Sequence, residues 1–562
     1  MRRSRLIPTL TVAALAVGLT VNASTATAAT TSPAAPRPTA ASHAQAVLQQ
    51  AEALFAAPAT PAPFSAGATA SPTAPTAPAA TSGAATDPTM TLLALAHVAH
   101  QLTGADRATA RTILARPTDP NQPALYGKWT PAEKKSGHLL CGPDVCVHWT
   151  DALLPGGVSR AKDDPPATDA VGLDPSQNIT AGPDGIPDQV DQTLHALEFV
   201  WATEIGTMGY NPPKPDDRGA GTAINLPKID IYLSNVGVHR LYGFCAPEQG
   251  RNRQSYGYCV LDNDYSVKEF GKTNSRLANL QVTAAHEFFH DIQFNYDSFE
   301  DVWFMESTAA WMEDEVYPNV NDNLQYLYDS PMSTPSQPLD LVDSSYLSSY
   351  GSWVFIRYLS DTFDSDVVRT AWTDAVGRPY SLQALDQALR DTHHTDVQTQ
   401  FADFSAANAS PRDFYGVDGA RYVAYAANPP LTVRLGSGTK SSGWLTSAPL
   451  KHLSSIRLGA VPAVAKGHLK VEIVGPGSLT APRARLVIHQ VGGTAVMQRV
   501  KLVRGAAVVT GIAFGQATVK RVDVIMVNAS TRTVCNRGTG WSCHGTPTDN
   551  RSVFRVRVTH TV

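Results

Sequence analysis

Apolar residues return with a period of two along VCVHWT, KIDIYLSNVG and SYGYCVLDNDY, and β-branched and aromatic side chains fill those runs. That spacing predicts strands. PDQVDQTLHALEFVWATEIGTMGY repeats every three to four residues instead. It predicts an amphipathic helix opened by Pro187 and Asp188 and closed near Gly206. Helical spacing then dominates to about Ala427, through VTAAHEFFHDIQ, ESTAAWMEDEVY, GSWVFIRYLSDTF, SLQALDQALRDT and VQTQFADFSAANA. From Leu431 the period changes again. HLKVEIVG, ARLVIHQVGG, MQRVKLVRG, RVDVIMVNAS and SVFRVRVTH are short β segments between Gly and Pro punctuation. The pattern predicts an α+β unit over residues 126–430 whose second half is mostly helical. An all-β, sandwich-like domain follows over residues 431–562.

The start of the chain has a different character. Arg2, Arg3 and Arg5 precede an apolar stretch from Leu6 to about Val21, and small residues at Ala26–Ala28 follow. This reads as a secretory signal over residues 1–28. No later apolar run reaches the length a bilayer requires, so the expectation is a secreted, extracellular protein without a transmembrane anchor. Residues 29 to about 87 are mostly Ala, Pro, Thr and Ser, which cannot bury enough apolar surface to offset the entropy of ordering. Within residues 29–125, SHAQAVLQQAEALFAA has helical spacing, and PTMTLLALAHVAHQLTGADRATARTILARP predicts a helical hairpin around Gly104. Together they read as a propeptide or a brace. The segment before Tyr126 holds no cysteine. If it inhibits anything, it does so with a carboxylate, a histidine or simple occlusion.

Six cysteines fall into three close pairs, Cys141/Cys146, Cys245/Cys259 and Cys535/Cys543, and none has the CxxC spacing of a zinc ribbon. In an exported chain this predicts three local disulfides. The net charge of −4 is unevenly spread: from Leu431 onward 18 Lys and Arg face three acids, and the remainder holds 27 bases and 46 acids. A basic tail domain on an acidic body either docks on that body or attracts an anionic surface such as a cell-wall polymer. No nucleic-acid-binding motif accompanies the basic residues.

Candidate chemistry concentrates in VTAAHEFFHDIQ. Residues i and i+4 of a helix share a face, so His286 and His290 can grip one zinc ion. Glu287, one position on, stands beside the metal, where it can take a proton from water. A hydrolytic zinc site has a third protein ligand. Glu306 lies 16 residues beyond His290, which leaves room for a turn and a returning helix. The bland alternative is a buried helix with two hydrogen-bonded histidines. Phe288 and Phe289, expected to bury the opposite face, and the carboxylate-bearing helix favour the metal. NITAGPDGIPDQVD offers Asp184, Asp188 and Asp191 around Gly185 as a calcium loop. However, Thr180 and Gly182 stand where carboxylates belong, and Asp188 and Asp191 also suit an ordinary first helical turn.

TAAHEFFHDIQFNYD followed by WFMESTAAWMED resembles a family of secreted bacterial zinc metalloproteases of the gluzincin type. DGIPDQVDQTLHALEFVW, IDIYLSN, YGYCVLDNDY and YGSWVFIRYLSD extend the resemblance over roughly residues 140–410. It implies a zincin-like catalytic domain with His286, His290 and Glu306 as zinc ligands and Glu287 as general base and acid. It also implies peptide or protein substrates. Ser307 stands where that family commonly has Gly. The spacing to Glu306 is shorter than in thermolysin-like enzymes, which leaves Glu313 as the alternative ligand. Trp303 matches the family setting of Glu306, and Glu313 is then either a carboxylate that orients a histidine or a solvated residue. Some gluzincins use a tyrosine to hold the oxyanion. Tyr346 and Tyr350 are in range, and Tyr350 fits better. Two other readings stand beside this one. The first is a surface-binding protein that uses the basic β domain and carries an inactive or structural zinc site. The second is a glycoside hydrolase using Glu313 and Asp314, but adjacent helical residues point apart and cannot flank one bond.

Overall fold

A strand that is apolar at both odd and even positions needs cover on both faces, and the first sheet of this protein is built that way. The computed structural model describes residues 40–55, 87–119, 129, 137–150, 186–214, 228–248, 250–342, 347–377 and 380–561. The expected signal, most of the Ala/Pro/Thr-rich stretch, Thr180, Gly182, Asp184, Gly185 and Tyr346 lie outside the described residues. Within them the chain is a mixed α and β protein, with no barrel.

The first sheet comprises β1 (Gly137–Cys141), β2 (Val145–Thr150), β3 (Ile229–Ser234), β4 (Gly243–Pro247) and β5 (Gly257–Asp262). The order is β1-β2-β3-β5-β4, with β2, β3 and β5 parallel and antiparallel strands at both edges. Cys141–Cys146 and Cys245–Cys259 are disulfides between directly paired positions of β1/β2 and β4/β5, and Cys535–Cys543 is the third. Side chains alternate in destination. Val145, Val147, Ile229, Ile231, Leu233 and Leu261 join one core, whereas Tyr232, Phe244, Tyr258 and Val260 join another.

Three helices cover the second of these faces: α1 (Ala40–Leu54), α2 (Pro88–Val98) and α3 (Gly104–Leu114), which place Val47, Leu48, Leu92, Leu95 and Ile113 on it. On the first face lie α4 (Asp188–Trp201) and α5 (Arg276–Asp297). Ser275 opens α5 by accepting a hydrogen bond from the Ala278 N–H at 3.0 Å. This helix is buried almost all round, as expected of a central helix rather than a surface one. Against it pack α6 (Val302–Val316), then α7 (Trp353–Thr362), α8 (Asp366–Ala375), α9 (Ser381–His393) and α10 (Val397–Ala407).

The C-terminal strands are β6 (Leu431–Leu435), β7 (Leu445–Thr446), β8 (Ser454–Pro462), β9 (His468–Val474), β10 (Pro482–Gln490), β11 (Val496–Val500), β12 (Ala506–Ala513), β13 (Val519–Asn528), β14 (Thr533–Val534), β15 (Thr546–Pro547) and β16 (Arg555–Thr561). They form sheets of order β11-β10-β13-β8-β6 and β12-β9-β16-β7, plus the short β14-β15 pair beside the Cys535–Cys543 loop. Val522, Val524 and Met526 of β13 share a core with Val471, Ile473, Val556 and Val558 of the other sheet. Ile525 and Val527, on the opposite face of β13, join the helical core, and α10 packs across β10 and β13. The docking is also polar. Asp403 of α10 accepts from Arg485 Nε at 2.5 Å and from Arg499 at 2.6 Å. Buried Asp340 meets His452 at 2.6 Å. Part of the basic excess of the tail is therefore turned inward onto acids of the helical body.

Local pattern and structure differ in places. The helix expected to close near Gly206 ends as an α-helix at Trp201 and continues as a wider π turn over Ala202–Thr207. Strand β4 reads GFCAP, bounded by Gly and Pro, and its pairing with β5 and the Cys245–Cys259 bond hold it extended. Strands β1, β6, β8 and β12 and helix α8 are not among the runs named above, although β6 alternates apolar and polar residues and α8 buries Val367, Val368, Ala371, Trp372 and Ala375 at helical spacing. Among the described residues no helix is long and apolar enough to cross a membrane.

Asp403→Ala leaves the guanidinium of Arg485, only 3% exposed, without its partner. The expected loss is about 3–5 kcal/mol, the cost typical of breaking a buried pair from one side. Urea unfolding of the two proteins measures it, and an unchanged midpoint would show that Asp403 does not hold the β sheets to α10.

Candidate metal centre

Helix α5 presents His286 and His290 one turn apart, and α6 returns across it to bring Glu306 opposite. The two Nε2 atoms stand 3.0 Å apart. Glu306 Oε2 lies 3.4 Å from His286 Nε2, and Oε1 lies 3.5 Å from His290 Nε2. Neither carboxylate oxygen has a hydrogen-bond donor, although Glu306 is fully buried. These three residues and the group Asp262, Asp264 and Glu269 are the clusters of metal-ligating type among the described residues. The second group is already engaged with the chain, since Asp262 accepts the N–H of Gly237 and of Tyr265.

The other ring nitrogens point outward to fixed partners. His286 Nδ1 donates to Glu313 Oε1 at 2.8 Å. His290 Nδ1 donates to Gln293 Oε1 at 2.7 Å. The amide of Gln293 can be oriented by elimination. Its Nε2 donates to the carbonyl of Met305 at 3.0 Å, an acceptor only, so its oxygen must face His290. The proton of His290 therefore sits on Nδ1, and the Nε2 lone pair faces the cluster. The same amide donates to Thr308 Oγ1, and Trp372 Nε1 donates to that hydroxyl too. Glu306 and Glu313 thus lie on opposite sides of His286, one facing Nε2 and the other Nδ1. Asp314 points elsewhere, into an ion pair with Arg357 at 2.9 Å. Sequence reasoning missed Gln293. Its signal is the three-residue step beyond His290, which returns a side chain to the same helix face.

Burial dominates the electrostatics. It raises Glu306 to about 8, helped by the negative charge of Asp87, while His286 works the other way. Burial and Asp87 also raise Glu287 to about 7, again opposed by His286. Burial lifts Glu313 to about 7 against its hydrogen bond to His286. Burial favours neutral His286, but the Glu306 and Glu313 carboxylates outweigh it and hold the ring well above the usual histidine range. Burial and His286 push His290 well below that range. The two rings of the pair are thus shifted in opposite directions.

The remaining candidates can be placed. Tyr350, in the short helix Leu347–Gly351, stacks on His286 with ring centroids 5.4 Å apart. Its hydroxyl donates to Asp87 Oδ2. Glu287 Oε2 accepts from Thr89 Oγ1 at 3.0 Å. Phe288 and Phe289 are buried on the far side, against Trp201 and Tyr210. Of the calcium candidate, only Asp188 and Asp191 are described, in the first turn of α4. The start of α6 is anchored from the C-terminal part. Asp301 accepts the N–H of Cys543 at 2.8 Å, and Trp303 Nε1 donates to Ser542 Oγ at 3.0 Å.

No family model matches the chain, and no curated protein matches it. Among solved structures, a family GH115 4-O-methyl-α-glucuronidase with specificity for decorated arabinogalactans aligns at 8% identity and a TM-score of 0.14. That alignment covers 54% of this chain and spans about half of the glucuronidase, 46% of its length. A score that low carries no argument about fold or activity.

Gln293→Leu removes the acceptor of a buried His290 N–H and a donor to the Met305 carbonyl. The expected destabilisation is about 1–3 kcal/mol, the cost of leaving buried polar groups unmatched. Chemical unfolding checks it, and a change below the error of that measurement would count against Gln293 as the tie between α5 and α6.

Proposed function

We propose that this protein is a secreted, zinc-dependent peptidase. The observation that carries the reading is the convergence of two imidazole Nε2 atoms on a buried carboxylate with no hydrogen-bond donor. Burying a carboxylate without a partner is costly, and a cation among these three groups removes that cost. Two nitrogens bound tetrahedrally to one zinc at about 2.0–2.1 Å stand roughly 3.3 Å apart, close to the 3.0 Å seen between the histidines. His286, His290 and Glu306 are the residues that would hold the ion. Two imidazoles and one carboxylate are a donor set that suits zinc and leaves a position open. The mixed sheet with β4 at its edge, α5 beneath it and Glu306 on the next helix support a zincin-like layout. The core shared by the two C-terminal sheets supports a sandwich-like domain. The three disulfides fit an oxidising, extracellular setting.

When bound, zinc supplies Lewis-acid polarisation of the scissile carbonyl and makes water more acidic. The chain supplies the rest. Glu287 takes the proton of the attacking water as its oxygen bonds to the carbonyl carbon. It then delivers that proton to the amine as the C–N bond breaks. A value near 7 suits a group that must do both at neutral pH. Tyr350, whose ring stacks on His286, would turn its hydroxyl from Asp87 to the oxygen on which charge builds. Glu313 and Gln293 keep both Nε2 lone pairs turned inward by holding the Nδ1 protons.

Glu287→Gln keeps the ligand set and loses the base. Peptide hydrolysis should fall by about 10²–10⁴-fold with zinc stoichiometry unchanged. A digest of a mixed peptide pool read by mass spectrometry tests this, and equal cutting by both proteins would sink the mechanism. Zinc binding should also be linked to pH. Glu306, raised to about 8, and His286, held well above the usual histidine range, each give up the proton they carry to become ligands. Affinity should therefore climb from pH 6 to pH 8, with about one to two protons released per ion at neutral pH. Calorimetry in buffers of different ionisation enthalpy counts those protons, and no release would contradict the assignment.

A further inference from the structure

Asp87 does more than start α2. One carboxylate oxygen caps the helix, accepting the Met90 N–H at 2.7 Å. A helix cap needs no more than that. Its second oxygen instead accepts the hydroxyl of Tyr350, 263 residues away in the sequence. Two positions on, Thr89 has two bonds outside its own helix. Its hydroxyl donates to Glu287 Oε2 at 3.0 Å and accepts the N–H of Cys245 at 3.0 Å. Cys245 lies on β4, the edge of the first sheet. The outward N–H of an edge strand is the group with which an extended peptide would pair. Asp87, Thr89 and Met90 are all buried, and Glu287 is 7% exposed beneath them.

The segment is held firmly. Leu92, Leu95 and Val98 of α2 pack with Phe244, Ala246 and Val260 of the sheet. The His97 ring stacks on Phe299 with centroids 3.9 Å apart. Beyond α3, Arg116 reaches Asp230 at 2.5 Å and Glu248 at 2.7 Å.

We propose that Asp87–Met90 is an internal occupant of the substrate cleft, so that the chain is latent until this segment leaves. The inference rests on the peptidase reading of the same site. Three groups that the reaction would use are engaged by this one stretch: the Tyr350 hydroxyl, the Glu287 carboxylate and the outward N–H of Cys245 on β4. The occupant is a carboxylate and a hydroxyl rather than a thiolate, as a cysteine-free segment requires. Latency of this kind lowers apparent affinity for any cleft ligand by the fraction of time the cleft is open.

The test uses the full-length, zinc-loaded chain. Asp87→Ser keeps a side-chain oxygen to cap α2 while removing the carboxylate, and Thr89→Val keeps the cap and removes the bonds to Glu287 and Cys245. A small zinc-directed hydroxamate is titrated into wild type and each variant, and peptide cleavage is followed on the same samples. Hydroxamate should bind at least about tenfold tighter to Asp87→Ser than to wild type, with Thr89→Val shifted in the same direction. Equal hydroxamate affinity in all three proteins, or no binding to any, would overturn the inference. So would wild type cleaving as fast as Asp87→Ser, an outcome that leaves the peptidase reading intact. Tighter hydroxamate binding without peptide cleavage would keep the occlusion and remove the peptidase reading.

Discussion

A buried carboxylate without a donor is the constraint around which this molecule is arranged. Glu306 lies at 0% exposure between two imidazoles, and no hydrogen bond meets either oxygen. Such a group ionises readily only where opposite charge lies close and the surroundings hold it there. His286, held well above the usual histidine range, is the neighbour that opposes the rise of Glu306 to about 8. Rigidity comes from the packing of α5 and α6, tied by Gln293 to the Met305 carbonyl and to Thr308. The features that make the cluster costly are the ones on which the proposed zinc site rests.

The C-terminal sheets serve this centre as well as their own core. Cys543 and His544, at the end of the Cys535–Cys543 loop, donate backbone N–H groups to Asp301, and the Ser542 hydroxyl oxygen accepts the Trp303 indole N–H, at the start of the helix that carries Glu306. Asp340 joins His452 to the Ser542 N–H nearby. A disulfide-closed loop is a low-entropy way to hold a helix start, because few alternative conformations compete. The placement of the third candidate ligand thus depends on contacts more than 230 residues away in the chain.

The first sheet shows why the N-terminal helices belong to the described structure. Its strands are apolar on both faces, and α4 and α5 cover only one. Helices α1, α2 and α3 cover the other, and once α2 lies along β4 its first turn reaches Glu287 and Tyr350 of the candidate site. Apolar cover and contact with the candidate site are therefore two consequences of one docking.

Much of this was legible in the chain itself. The step from His286 to His290 puts both rings on one helix face whatever surrounds them, and local cysteine spacing suggested the pairings that cross β1/β2 and β4/β5. Period-two and period-3.6 runs marked most long elements, because those periods follow from backbone geometry alone. Other features were not local. Whether Glu306 or Glu313 faces the Nε2 side depends on the angle at which α6 crosses α5. Gln293 is a partner of His290 only because Met305 and Thr308 orient its amide. Strand β4 has no period to read, and Asp87 and Thr89 gain meaning only beside Tyr350 and Glu287. The sequence by itself determined which side chains can do metal chemistry and which share a helix face, since spacing along a regular backbone sets both. Tertiary structure alone decided which carboxylate meets the histidines and which segment covers them, because those outcomes depend on how separately formed elements pack.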